Sequence, residues 1–472
     1  MVGADCWRAR LGGSSVLGVD HRPLVASVSE GRADPLGEQR LSERLARRLA
    51  ERIGDRGPIP VSEYVEACLY DPSGGFYMRD GGGRAGGRSG HFLTAPEVGP
   101  LFGAVLARAI DSWWRELGEP EQFAVIDWGA GPGTLARSLL AAEPACAAAG
   151  ALRLVLVELS PAQRALHPGQ PTPSNRSDAS ALSNRSAPSN RSAPSSRPDV
   201  SARLDMSALS SLPSRSNWPD QPTKLSSSGC QPPVSVAAVS DALPGALAQS
   251  APAGVVLANE LLDNLPFDIA RRTADGWEEL RVTVGDQPGR FALVAVPAPD
   301  ELVAALPPQL EAGARVPVQR AARRWVAEAH LLLAEGRIVA FDYGASTAAL
   351  AGRSGPPSDD DPGAGLGWLR THRDHRGGVS WLTHPGSCDI TVDLALDQVQ
   401  ADHRAAVCDQ AEFLRAHGID DLVAAAREAW SERSGVGDLD ALKARSRVSE
   451  AEALLDPDGM GGFRVLNWTV GG

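Results

Sequence analysis

Lysine is almost missing from this 472-residue chain: Lys224 and Lys443 are the only two, so arginine supplies nearly all of the positive charge. Even so, 46 basic side chains face 58 acidic ones, and the formal net charge is -12. That balance excludes a nucleic-acid polyanion as the default partner and suits cationic ligands. Cysteine is sparse as well. Cys6, Cys68, Cys146, Cys230, Cys388 and Cys408 are scattered, with no C-x-x-C and no Cys/His pair at zinc spacing, so neither a disulfide framework nor a metal site is indicated. No apolar run approaches the roughly 20 residues that span a bilayer, and no charged-then-apolar signal segment opens the chain. The resulting expectation is a cytoplasmic protein without membrane insertion.

What is present is enough apolar sequence, 43 %, for one large α/β domain with insertions or for two or three ordinary domains. Residues 1–38 are rich in Gly, Ser and Arg without periodicity and read as a flexible tail. Leu41, Leu45, Leu49 and Ile53 then fall four apart, predicting an amphipathic helix that ends near Gly54. A second helix carries Tyr64, Val65, Cys68 and Leu69 and stops at Asp71-Pro72-Ser73-Gly74-Gly75. Residues 39–122 thus form an N-terminal helical or lid segment. From Phe123 on, apolar runs alternate with helical patterns, as in a parallel sheet with crossover helices. The strands predicted are Phe123–Trp128, Leu152–Glu158, Val234–Val239, Val255–Asn259 and Ile338–Tyr343, with Ile390–Leu396 and Phe463–Trp468 as closing antiparallel strands of the same sheet. Residues 277–296 read as a hairpin around Gly285-Asp286-Gln287-Pro288-Gly289, inside a substrate-side insertion spanning 270–330. Between strands two and three, residues 167–233 are rich in Ser, Pro, Asn and Arg and repeat an S-N-R-S motif at Asn175, Asn184 and Asn190, which predicts a disordered insertion. The main domain is then 123–166 together with 234–472.

The segment Asp127-Trp128-Gly129-Ala130-Gly131-Pro132-Gly133-Thr134 joins the first strand to a helix. Its glycines let backbone N–H groups approach a ligand, and the helix aims its positive end at an anionic group. A dinucleotide fingerprint would need a third glycine at position 134, where this chain has threonine, so nicotinamide cofactors are disfavoured. The G-x-G-x-G form entered from an acidic strand end is the pattern of S-adenosylmethionine (SAM) sites in Rossmann-like methyltransferases. Ligands bind at the carboxyl ends of such strands, where acidic residues converge. Asp127 ends the first strand and suits loop amides or the ammonium group of SAM. Glu158 ends the second and can accept two ribose hydroxyls. Asp241 follows the third and fits either an acceptor for the adenine amine or a helix cap.

The fourth strand runs into Ala258-Asn-Glu-Leu-Leu-Asp-Asn-Leu-Pro266, and here the sequence resembles the MidA-like methyltransferases, which carry A-N-E-x-x-D-x-L-P at this point. Gly57-Pro-Ile-Pro60, Tyr70-Asp-Pro72, Phe92-Leu-Thr-Ala-Pro-Glu97, Val157-Glu-Leu-Ser-Pro161, Asp342-Tyr-Gly344, Leu369-Arg-Thr371 and Asp389-Ile-Thr391 resemble family signatures in family order. The resemblance covers about residue 42 to the end, apart from the insertion. It departs at His91, where the family usually has Asp, and after Thr391. It implies a class I SAM-dependent methyltransferase: α/β, Rossmann-like, with a mostly parallel seven-stranded sheet and helices on both faces. It also implies a lid role for Tyr77 and Glu97. The mitochondrial relative is a protein arginine methyltransferase needed for respiratory complex I assembly, so the implied acceptor is an arginine of a protein such as a respiratory-complex subunit.

Methyl transfer from a sulfonium is an in-line displacement that depends on alignment. A guanidinium acceptor is cationic at neutral pH and calls for carboxylates to grip it and take its proton. Glu260 and Asp263 are the candidates, with Asn259 to orient the nucleophile or the cofactor's amino group; Asp263 fits a turn cap equally well. His375 is a further candidate base on a loop. Two alternatives stand beside arginine methylation: a small-molecule O- or N-methyltransferase, favoured if the hairpin narrows the cleft, and a SAM-binding assembly factor without turnover.

Overall fold

The computed structural model describes residues 35–79, 94–168, 237–239, 251–307, 309–356, 358, 363–373, 376–435 and 438–471. Residues 1–34 of the expected tail, nearly all of the expected insertion, and His91, Asp241 and His375 lie outside the described residues, while residues 35–38 of that tail already belong to a helix.

Seven strands make the central sheet: β1 (Phe123–Trp128), β2 (Leu152–Val157), β3 (Ala237–Val239), β4 (Ala253–Asn259), β5 (Glu335–Asp342), β6 (Ala406–Asp409) and β7 (Arg464–Val470), in the order β6-β7-β5-β4-β1-β2-β3. The period-2 pleat sends alternate side chains into two different core layers. Phe123 and Val125 of β1, Val255 and Leu257 of β4, and Val339 and Phe341 of β5 pack on one face. Ile126, Val256, Ala258, Ile338 and Ala340 pack on the other. Both faces are therefore buried, and the strands read as continuous apolar runs for that reason.

Helices cover each face. After α1 (Pro35–Arg56) and α2 (Val61–Tyr70), α3 (Pro100–Glu116) and α4 (Thr134–Ala141) contribute Phe102, Ile110, Leu135 and Leu139 to the first layer. On the second face α5 (Arg320–His330) brings Trp325 and Val326 against the sheet. The pairings β5–β4, β4–β1, β1–β2 and β2–β3 are parallel, whereas β7 runs antiparallel to both β5 and β6. The seven-stranded sheet is thus a mixed one, parallel in four of its six pairings, with β7 the antiparallel closing strand that was expected.

The departure concerns Ile390–Leu396, expected to close the same sheet. Strand Asp389–Val392 pairs with Leu369–Arg373, and Leu394–Ala395 pairs with Gly344–Ala345, in two small sheets apart from the central one. Asp393 divides the run because its buried carboxylate is taken by Arg353 and Arg370. The hairpin is present as Trp277–Val284 paired with Phe291–Pro297. It belongs to a separate five-stranded sheet with Asp268–Arg272, Arg315–Val318 and the short strand Ile59–Pro60. Ile59 opposite Val282 and Pro60 opposite Arg281 join the N-terminal segment to the insertion, and Leu45, Leu49, Val61 and Tyr64 share a core with Ile269, Leu280 and Val282.

Candidate active site

The turn after β1 is built on left-handed glycines: Gly129, Gly131 and Gly133 have φ of 79°, 52° and 77°, a region costly for residues with a Cβ. Gly129 has a second constraint, because a Cβ there would lie 2.9 Å from Leu261 Cδ1. The turn is held against β2: the N–H groups of Gly129 and Ala130 donate to the Val157 carbonyl at 2.9 and 3.0 Å. Gly131 N–H donates to Glu158 Oε2 at 2.9 Å and Ser160 N–H to Glu158 Oε1 at 2.7 Å. Burial pushes the Glu158 carboxyl up, and these two N–H groups draw it back. His167, at the predicted edge of the insertion, is buried against the turn, its Nε2 donating to the Gly131 carbonyl at 2.9 Å. Gly133 caps α4 and does not line the cavity that follows.

That cavity, about 530 Å³, opens where β1, β2 and β4 end. The sheet side contributes Asp127, Gly129, Gly131, Glu158, Asn259 and Glu260, and the capping residue Glu97 joins them from the short helix Ala95–Val98. The facing side comes from α2, the Asp268 strand and α5, including Glu66, Tyr70, Arg324, Trp325 and Glu328. Seven carboxylates line the cavity against two guanidinium groups, Arg320 and Arg324. Arg320 is bound to Asp268 at 2.5 Å, which leaves the cavity strongly electronegative. None of the residues of the hairpin lines it.

Asp127 is 3 % exposed, and its Oδ2 has no partner among the described residues. Burial, and then the charge of Glu158, push its carboxyl up to about 7. Asn259 Oδ1 is likewise buried without a partner. Two orphaned acceptors beside a glycine turn fit the ammonium end of SAM, because an unmatched buried acceptor is costly unless a donor completes it.

Glu260 takes a left-handed conformation, φ 50°, unusual for a residue with a side chain. Its N–H donates to the Phe341 carbonyl at 2.8 Å, tying it to the end of β5. Oε1 accepts from Asn259 Nδ2 at 3.1 Å and Ala95 N–H at 3.3 Å, and Oε2 accepts from the Tyr343 hydroxyl at 3.2 Å. Burial raises this carboxyl to about 7 despite those donors. Asp263 is elsewhere. It is 3 % exposed, does not line the cavity, and has its N–H, with that of Leu262, bound by Asp342 Oδ2. Burial and then the charge of Asp342 hold the Asp263 carboxyl well above the usual range.

The structure therefore brings Asp127, Gly129, Gly131, Glu158, Glu97, Asn259 and Glu260 to one cavity and puts Asp263 beneath it. Sequence reasoning missed the facing wall. Arg320, Arg324 and Glu328 recur every fourth residue on a strongly amphipathic helix, a stripe that was legible. It also missed Asn264, whose Oδ1 accepts from Tyr77 at 3.1 Å and whose Nδ2 donates to Asp389 at 3.0 Å.

Known proteins agree with this geometry. The family described as "Putative S-adenosyl-L-methionine-dependent methyltransferase" matches residues 105–179 and 198–414. A Burkholderia thailandensis protein solved bound to S-adenosyl-homocysteine is similar at 26 % identity and a TM-score of 0.64, with 92 % of this chain and 93 % of that one covered. The mitochondrial protein arginine methyltransferase NDUFAF7 homolog of Drosophila melanogaster is 39 % identical over 106 residues, 22 % of this chain and 23 % of that protein. The human mitochondrial protein arginine methyltransferase NDUFAF7 is 36 % identical over 85 residues, 18 % of each. The chain thus spans about a fifth of the length of these curated relatives. Their names correct the cytoplasmic expectation, since they point to mitochondria. A search for apolar signal segments does not see mitochondrial targeting, which uses Arg- and Ser-rich amphipathic sequence. With the family matched over more than half of its length and a SAM-type cradle at the ends of its strands, the chain belongs to the S-adenosylmethionine-dependent methyltransferases of the MidA-like family.

Proposed function

We propose that the acceptor of the methyl group is the guanidinium of an arginine in a protein substrate, with a respiratory-complex subunit the class of protein that the family resemblance suggests. The observation that carries this reading is the electronegative cavity with Glu260 on its wall. A cation is the acceptor that such a lining recognises, and the names of the curated relatives favour arginine over other cations.

Bound SAM supplies an electrophilic methyl group on a sulfonium. Asp127 and Asn259 offer acceptors to its ammonium, Glu158 gives its carboxylate to the ribose hydroxyls, and Gly129, Gly131 and Gly133 keep the turn free of side chains. Glu97 helps the N-terminal segment cover the site. On the same wall, beside Asn259, Glu260 grips the guanidinium by charge-assisted hydrogen bonds and accepts the proton that the attacking nitrogen loses as the N–C bond forms and the S–C bond breaks. A carboxyl raised to about 7 is well matched to that proton. Asn259 and Tyr343 hold Glu260 in place through the bonds described above. Asp263 does not meet the acceptor: burial and the charges of Asp342 and Glu260 raise its own carboxyl, and its part is to support the turn behind Glu260.

The test is incubation of the full-length protein with methyl-labelled SAM and a host lysate, followed by acid hydrolysis of the labelled species. The expected product is protein-borne label that hydrolyses to methylated arginine. Label confined to small metabolites would overturn the assignment.

A further inference from the structure

A second cavity, about 500 Å³, is lined by Tyr343 and is rich in guanidinium groups where the first is rich in carboxylates. Arg353, Arg370 and Arg464 line it together with Asp393, Asp458 and the backbone around Gly459. Arg353 and Arg370 both bind the two oxygens of Asp393, which is 1 % exposed, so one buried carboxylate fixes two guanidinium groups side by side. Each still has two-fifths or more of its side chain accessible, 45 % and 40 %. Arg464 is tied through one terminal nitrogen to Asp409 and is 42 % exposed. A guanidinium has five N–H donors, and each of these three commits one terminal nitrogen to a carboxylate, leaving donors for a ligand. Asp393 is shared between two of the guanidinium groups, Arg464 is paired with Asp409, and exposed Asp458 is the other acid of the lining, so the site offers directed N–H donors more than net charge.

We propose that this cavity is a binding site for a small molecule bearing a phosphate monoester. A carboxylate has two oxygens and one charge, which one guanidinium fork satisfies. Three forks around one cavity suit a group with three acceptor oxygens and close to two negative charges, which a phosphate monoester supplies. The volume is that of a small-molecule site. The chain as a whole carries -12, so three arginines gathered at one concavity run against its overall charge.

The site is linked to the first cavity through one hydrogen bond. The Arg370 guanidinium lies 5.2 Å from the centre of the Tyr343 ring, and the hydroxyl of that ring donates to Glu260. A phosphate that draws on Arg370 weakens its hold on the tyrosine face, so occupancy is expected to shift the pH profile of methyl transfer. That consequence rests on the role given to Glu260 above; the binding itself does not.

The experiment is calorimetric titration of the full-length protein with phenyl phosphate and with benzoate at constant ionic strength. Phenyl phosphate is expected to bind one saturable site and benzoate at least about tenfold more weakly. Arg464→Gln, which leaves only a half-exposed carboxylate behind, is expected to weaken phenyl phosphate about tenfold, and Arg353→Lys, which keeps the charge over Asp393, to weaken it by a smaller factor. Arg324→Gln, in the first cavity, is expected to leave binding unchanged. Equal binding of benzoate, no saturable binding of phenyl phosphate, or loss in Arg324→Gln with none in Arg464→Gln would each overturn the proposal.

Discussion

Asp127→Asn is expected to make the ligand-free protein more stable at alkaline pH while removing its ability to bind SAM. In the fold the Asp127 carboxyl is raised from its ordinary 3.8 to about 7, first by burial and then by Glu158. A carboxyl raised in this way binds its proton more tightly folded than unfolded, so stability falls as pH rises from about 4 to about 7 and stays low above it. At pH 8 the ionised group costs on the order of 4 kcal/mol, at about 1.4 kcal/mol per tenfold change in proton affinity. Asparagine carries no charge to bury, and relief of that cost in a body of roughly 440 residues raises the melting temperature by about 4 °C, from an unfolding entropy near 2.1 cal/mol/K per residue. At pH 5, where the folded-state carboxyl is protonated, the gain falls below half of that. The assay is a pair of thermal melts at pH 5 and pH 8, with and without SAM. The wild type is expected to gain stability from SAM by mass action and the variant to gain none. A variant that melts no higher than the wild type at pH 8, or that still gains stability from SAM, would refute the reasoning.

Four further outcomes are expected. Glu158→Ala removes two charge-assisted acceptors and should weaken SAM at least about 100-fold by calorimetry, with the fold intact by circular dichroism. Glu260→Gln should lower the methyl-transfer rate by about 100-fold or more while SAM binding is kept; wild-type activity in that variant would remove Glu260 from the chemistry. In the wild type the rate should rise through about pH 7 as Glu260 ionises to receive a proton, and the profile should lose that limb in Glu260→Gln. Phe341, 1 % exposed and packed 5.3 Å from Phe102 and 5.1 Å from Phe413 between ring centres, should cost about 3–5 kcal/mol as Phe341→Ala in denaturant unfolding.

Local chemistry by itself settled much of this protein. The apolar runs at Phe123–Trp128, Leu152–Val157 and Ala253–Asn259 form strands because both faces of the sheet are covered, and burial on both faces is a property each run carries in its own composition. The glycine turn was legible because positive φ at three alternate residues demands glycine, and the acids that end the strands were legible because a parallel sheet delivers strand ends to one edge. Strand order, in contrast, leaves no trace in periodicity: an antiparallel closing strand was expected, but its place between β5 and β6 emerged only in three dimensions. The same holds for the join between Ile59–Pro60 and the hairpin more than two hundred residues away. Glu260 and Asp263 are three apart and looked equivalent, yet the left-handed backbone at Glu260 turns one carboxylate to the cavity while the next turn buries the other beside Asp342. Tyr343, unremarked beyond its motif, lines the second cavity while its hydroxyl bonds Glu260 of the first. Its position depends on contacts made by Arg370 and Glu260 from distant parts of the chain, and distance along a sequence says nothing about such meetings until the chain is folded.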